Sequence, residues 1–495
     1  MGDTTHGLVP IPVLGHIGTN KHMNTPYTAK YAPLALVVAL VGATSAQAFT
    51  LADIPAGTGY AAQDLCTRTM QSMDDFERVK KTYVMPKVTP LPLVWWINNQ
   101  VGKQVSVQTV VPFLSNKRTA IYRRNLGCTM VPPGTSEAAV RVQAFKPTAV
   151  PLPSQQAWPE GEGAVESSQL SADQASLLSS QSAELFKETS SKPEEKQNTF
   201  ALLVAHDGHL VYEQYAPGYK RSQAQLGWSM TKSVTALIAG IMATDGRISL
   251  DAPVGLPLWA NSPKAAITWK QLLDMAPGLA WTEEYTGASD TTEMLFSQGD
   301  QGGWAANKPL TSAPGTVFNY STGFPTIAML RMKQLLGNNH QALYDYYQQR
   351  LFAPLGIRQG VIESDASGTP AGGARGVLRP VDWLRLGQLV VQKGQWQNKP
   401  VIDQAVFDHL LAPSNANPGY GGYVWRLNDT TRTNIPDALR QRLPADLLTF
   451  RGVMGQIMVI VPSHKLVVLR MGVSFDMPKT LTNVLSATAD MIEVL

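Results

Sequence analysis

The sequence predicts an α+β protein in which an antiparallel sheet is flanked by helices and preceded by a small N-terminal module. Three patterns point there. Apolar-rich runs at residues 200–205 and 209–215 flank Asp207-Gly208, a pair suited to a tight primed turn, and read as a β-hairpin. Near the C-terminus a second strand pair, 455–461 and 466–471, lies across Pro462-Ser463-His464-Lys465. Between the hairpins Val234, Leu237, Ile238, Ile241 and Met242 recur at helical spacing until Asp245-Gly246 ends them.

In chain order, the first element is a leader. Lys30 precedes an apolar stretch at 34–41 that gives way to small residues ending in Ala46-Gln47-Ala48, the pattern of a secretory signal. The alternatives are a core helix or a membrane anchor, and the run is far short of the roughly 20 apolar residues that cross a bilayer. Residues 1–48 are therefore expected to be removed, leaving a periplasmic or secreted protein with no stable membrane anchor. Translation starts at Met1 or at Met23, which lies just before the basic region.

Residues 49–134 form the expected N-terminal module, with Trp95, Trp96 and a valine-rich patch at 101–111, and the sequence gives it no chemistry. Within it Gly57-Thr58-Gly59-Tyr60-Ala61-Ala62 imitates a dinucleotide fingerprint, but no strand precedes it, so no cofactor is expected. Cys66 and Cys128 are the chain's two cysteines. They exclude a four-thiolate zinc site, and in an oxidising compartment they are expected to pair, with two separate buried thiols as the alternative. Residues 135–199, rich in Pro, Ser, Gln and Glu, read as a linker with one helical pattern at 175–186.

Composition narrows the function. With 44% hydrophobic and 16% charged residues over 495 positions, extended disorder is excluded. The net charge of +4 comes without a dense basic stripe, so no nucleic-acid partner is expected. No His-Glu-x-x-His pattern occurs, and none of the eight histidines recommends a Ser-His-Asp triad.

The chemistry is expected at Gly227-Trp228-Ser229-Met230-Thr231-Lys232-Ser233. Ser229 opens the apolar helix and Lys232 follows one turn later, so both side chains leave from one face. A serine hydroxyl attacks only when a base takes its proton, and lysine can be that base where burial or nearby positive charge lowers its pKa from about 10.4. Helix N-termini also offer free amides to an oxyanion. No Gly-x-Ser-x-Gly elbow competes for the nucleophile. Downstream, Tyr320 follows the turn at Ser312-Ala313-Pro314-Gly315-Thr316 and could carry a proton, although as a lone tyrosine it also suits packing. Phe450-Arg451-Gly452-Val453 approaches as extended chain, where a backbone amide could complete an oxyanion hole.

These residues resemble the serine hydrolases of the β-lactamase and penicillin-binding superfamily, in the branch of class C β-lactamases, esterases and 6-aminohexanoate-dimer hydrolases. Besides Ser229-Met230-Thr231-Lys232, the resemblance rests on Leu272-Leu273-Asp274-Met275, Pro277-Gly278-Leu279, Pro314-Gly315-Thr316 before Tyr320, Leu351-Phe352-Ala353-Pro354-Leu355-Gly356 and Gly455-Gln456. It implies a β-lactamase/DD-peptidase-like sheet with an all-helical subdomain over residues 175–495, leaving 135–174 as linker. It also implies acylation of Ser229, proton handling by Lys232 and Tyr320, and an oxyanion hole from the amides of Ser229 and Val453.

Two departures shape the substrate. Tyr320-Ser321-Thr322 stands where β-lactamases carry Tyr-x-Asn, and Phe450-Arg451-Gly452 where they carry Lys-Thr-Gly. Both favour an amide or ester bond in a small linear substrate, as for the 6-aminohexanoate-dimer hydrolases, over β-lactams or peptidoglycan peptides. A non-catalytic envelope-binding protein on the same fold is the remaining alternative. Thr322, Glu283, Glu284, Tyr285, Trp304, Tyr420 and Arg451 are the expected substrate-lining residues.

Overall fold

The structure, a computed structural model, describes residues 51–88, 94–99, 102–109, 116–141, 145–148, 154–163, 165–166, 169–192, 195–428 and 435–495. The expected leader at 1–48 lies outside them, as do parts of the valine-rich patch and of the expected linker. The first described element is a helix, Asp53–Cys66 (α1), which packs against a four-stranded antiparallel sheet of Val94–Asn99 (β1), Gln104–Thr109 (β2), Lys117–Arg123 (β3) and Gly127–Met130 (β4). The imitation dinucleotide fingerprint falls inside α1.

Ala172–Phe186 (α2) starts from a capping box between Ser171 and Gln174. Thr199–His206 (β5) and His209–Tyr215 (β6) follow, and in the turn between them Asp207 and Gly208 have φ of 47° and 86°, the left-handed pair a primed turn requires. The chain continues through helices Met230–Thr244 (α3), Asp290–Ser297 (α4), Gly323–Leu335 (α5) and Pro380–Val391 (α6). Five strands come next: Tyr420–Gly421 (β7), Val424–Arg426 (β8), Leu448–Gly452 (β9), Gln456–Val461 (β10) and Leu466–Gly472 (β11). Helix Met477–Val494 (α7) closes the chain. The strands form one antiparallel sheet in the order β7-β8-β9-β10-β11-β5-β6.

Side-chain alternation decides what covers each face. Leu203 and Ala205 of β5, Met458 and Ile460 of β10, and Val467 and Leu469 of β11 join the core containing Leu237 of α3 and Leu384 of α6. Their neighbours Leu202, Val204, Ile457, Val459, Leu466 and Val468 pack instead with Leu178 and Leu185 of α2 and Val484 and Leu485 of α7. With both faces covered, the central strands are almost wholly apolar although the sheet is antiparallel. Each buried Val or Leu contributes about 1.5–3 kcal/mol relative to exposure.

Residues Phe49–Leu495 cluster as one compact unit. A disulfide between Cys66 and Cys128 ties the end of α1 to β4; by loop-closure entropy a bridge of this span stabilises by about 4 kcal/mol. Beside it, buried Glu363 accepts from the Cys128 amide (2.7 Å) and the Thr67 hydroxyl (2.8 Å) and pairs with buried Arg375 at 2.7 Å. The N-terminal elements are thereby joined to the segment that runs past α3.

Candidate active site

Ser229 is the N-cap residue of α3 and is 6% exposed. The turn before it is constrained: Trp228 has φ of 49°, a left-handed conformation unusual for a bulky residue. Its fully buried ring is held from several sides. Tyr60 of α1 stacks on it at 6.1 Å, Tyr285 meets it edge-on at 6.2 Å, and the Arg375 guanidinium carbon lies 5.5 Å from its centroid. On the other side, a Cβ on Gly452 would sit 2.2 Å from the Gly227 carbonyl oxygen. Only glycine at 452 lets β9 come this close to the serine turn.

Lys232, 1% exposed, directs its Nζ at three oxygens: Ser229 Oγ (2.9 Å), Thr322 Oγ1 (2.9 Å) and the Gly373 carbonyl (2.8 Å). Glu283 Oε1 is 3.8 Å from its Nζ, and the Tyr320 ring centroid is 4.7 Å away. Glu283 is itself saturated with donors. It accepts from the Thr322 amide (2.8 Å) and hydroxyl (2.5 Å), Trp281 Nε1 (2.7 Å), Thr291 Oγ1 (2.6 Å) and the Tyr285 hydroxyl (3.2 Å). Burial pushes this carboxyl upward, but the Lys232 charge and the Thr291, Thr322 and Trp281 hydrogen bonds outweigh it and hold it below the usual carboxylate range.

A cavity of about 250 Å³ opens over Ser229. Of the residues the sequence singled out, Glu283, Tyr285, Tyr320, Arg451 and Val453 line it. Thr322 does not face it. Its hydroxyl is fully buried between Lys232 and Glu283, so it positions the lysine instead of touching substrate. Three other expected contacts lie elsewhere. Tyr420 is fully buried behind the wall, edge-on to Trp425 at 4.6 Å and to Tyr320 at 6.1 Å. Trp304 packs edge-on against Trp281 with the Lys308 ammonium 3.7 Å over its ring, and Glu284 is exposed. None of the three lines the cavity.

Sequence reasoning missed the apolar wall, made by Trp425, Ile457 and the start of α7 at Met477, Pro478 and Leu481. It placed Glu283 at the cleft, where the residue does line the cavity, but missed that the same carboxylate faces Lys232; no local pattern marks a contact made through folding. Phe450 is 1% exposed and sits in the core, while the next residue, Arg451, reaches the cavity side of β9. There Arg451 Nε donates to Thr449 Oγ1 (2.7 Å) and the guanidinium carbon lies 5.2 Å from the Trp425 centroid. The turn after β9 is pinned: Met454 has φ of 63°, Ser474 N donates to the Met454 carbonyl (2.9 Å), and buried Arg470 donates to the Gly455 carbonyl (2.7 Å). Val453, on this turn, and Ser229 border the same cavity.

Replacing Glu283 by glutamine leaves five donors facing an amide and removes the carboxylate beside Lys232, so Glu283→Gln is expected to lower stability by about 3 kcal/mol. Because the folded carboxyl lies below its ordinary value, its stabilisation is complete above about pH 4.3 and is lost as the pH falls through the lower, folded value. Denaturant titrations of the two proteins should differ most near neutral pH and converge only below about pH 4. Convergence already at pH 6 would contradict this assignment.

The family model described as Beta-lactamase matches residues 190–476, more than half of the chain. Among solved structures, a Bacillus anthracis protein with the provisional name 6-aminohexanoate-dimer hydrolase aligns over 60% of this chain and 79% of its own at 20% identity and a TM-score of 0.50. EstCE1, a hydrolase with promiscuous acyltransferase activity, aligns over 64% of this chain and 100% of its own at 18% identity and the same TM-score of 0.50. At such identities these likenesses speak for the fold, and the family match speaks for descent. The chain belongs to the β-lactamase family and is a serine hydrolase of the β-lactamase and penicillin-binding superfamily.

Proposed function

We propose that this serine hydrolase is exported and cleaves an amide or ester bond of a small substrate through an acyl-Ser229 intermediate. The observation that carries the reading is the 2.9 Å contact between Lys232 Nζ and Ser229 Oγ, both buried at the base of an open cavity. In the reactive form Lys232 is the free amine, and its Nζ takes the hydroxyl proton as Oγ attacks the carbonyl carbon. The resulting oxyanion is received by the amides of Ser229 and Val453. As the tetrahedral adduct collapses, Tyr320 passes a proton to the departing amine or alcohol and regains one from Lys232; a water then attacks the acyl-serine, giving up a proton to the Lys232–Tyr320 pair, which returns it to Ser229 Oγ as the acid departs.

Substrate class follows from the walls. Trp425, Ile457, Met477, Pro478 and Leu481 suit an apolar body, and Arg451 suits a polar or anionic end. With Phe450 turned into the core, no cation from that position serves a β-lactam carboxylate. The reading is therefore 6-aminohexanoate-dimer hydrolase-like or esterase-like in preference to β-lactamase or peptidase. Export is supported by the signal-like segment and by the disulfide.

On a p-nitrophenyl ester, Ser229→Ala and Lys232→Ala should each lower kcat/KM by about three orders of magnitude or more, and Tyr320→Phe by less. Wild-type rates in Lys232→Ala would remove it as the base, and rapid turnover of nitrocefin would return the β-lactamase reading. The mature protein collected outside the cytoplasm should begin at Phe49, and an intact residue 1–48 segment there would contradict export with cleavage.

A further inference from the structure

A second, smaller cavity of about 50 Å³ adjoins the first, and Tyr285 and Val453 line both. Trp228, the neighbour of the nucleophile, also borders it. Its far wall comes from residues that lie before the matched family segment: Tyr60 of α1, and Lys87 and Val88 of the short helix Met85–Val88. The shared residues bring side chains that the hydrolase core does not supply next to the cavity over Ser229.

Lys87 gives this slot its character. It is half-buried, and its Nζ lies 5.8 Å from the Phe475 ring centroid. Among the described residues no carboxylate lies within 4 Å of it, and burial holds its pKa below the usual lysine value with no opposing charge contribution. Asp53 is the one carboxylate among the lining residues, and its Oδ1 accepts from the Ala288 amide at 2.7 Å. An ammonium partly withdrawn from water without a counter-ion is unfavourable, and a ligand carboxylate would relieve it in a narrow, poorly solvated slot where the pair is stronger than in bulk water.

We propose that this slot is a subsite for a carboxylate on the substrate, with Lys87 as its specificity-determining residue. The proposal rests on the acyl-Ser229 reading and adds to it the substrate class: esters or amides bearing an anionic group on one side of the scissile bond. Selection of this kind is local, since the whole chain carries only +4 and offers little long-range steering.

The test uses the mature full-length protein and two chromogenic esters that differ only in ending in a free carboxylate or in its methyl ester. The readout is the ratio of their kcat/KM values. Lys87→Met should lower the ratio roughly 10-fold and Lys87→Glu roughly 100-fold, mainly through KM for the anionic ester, whereas Lys87→Arg should keep it. A ratio unchanged in Lys87→Glu, with both esters still hydrolysed through Ser229, would overturn the subsite alone. Absence of any Ser229-dependent turnover of either ester would overturn the acyl-enzyme reading and the subsite with it.

Discussion

The buried Nζ of Lys232 is the point on which the rest of the site depends. An amine so far from water is tolerated only where acceptors replace its hydration. Each acceptor here comes from a different part of the chain: Ser229 from the start of α3, Thr322 from the entry to α5, and the Gly373 carbonyl from the segment before Arg375. Glu283 adds a charge at 3.8 Å and is fixed by donors from Trp281, Thr291 and Thr322. The segment carrying Gly373 is fastened to α3 as well, because Thr235 Oγ1 donates to the Gly372 carbonyl (2.8 Å) and the Gly376 amide donates to Thr231 Oγ1 (2.7 Å).

From that segment the chain of contacts runs outward to the N-terminal elements. Arg375 pairs with Glu363, and Glu363 receives the Cys128 amide next to the Cys66–Cys128 bridge. Tyr60 stacks on Trp228, the residue before Ser229. The N-terminal elements thus buttress the serine turn and supply one wall of the adjoining slot. This gives a physical reason for a disulfide at that place: it closes the part of the fold that braces the strained turn.

What the sequence made legible was local. The hairpins could be read because short apolar runs and Asp207-Gly208 act over a few residues, and Ser229 and Lys232 because one helical turn sets their spacing. The cysteine pair was open to a compartment argument. Contacts made only by folding were not legible. Glu283 looks like any loop glutamate until Trp281, Thr291 and Thr322 surround it. Thr322 was expected to face substrate, but Lys232 and Glu283 both engage its hydroxyl and turn it inward. Tyr420 and Trp304 were expected at the rim because the loops carrying them were expected to border the cleft, yet Tyr420 instead supports Trp425 and Tyr320, and Trp304 supports Trp281. Residues 49–134 gave no sign in sequence that they would border the cleft.

The most direct measurement is mass spectrometry of the wild-type protein after brief exposure to a fluorophosphonate probe, with digestion to locate the adduct. A single adduct is expected on the peptide containing Ser229, formed rapidly in wild type and much more slowly in Lys232→Ala. An adduct that persists in Ser229→Ala, or modification elsewhere with Ser229 left untouched, would contradict it.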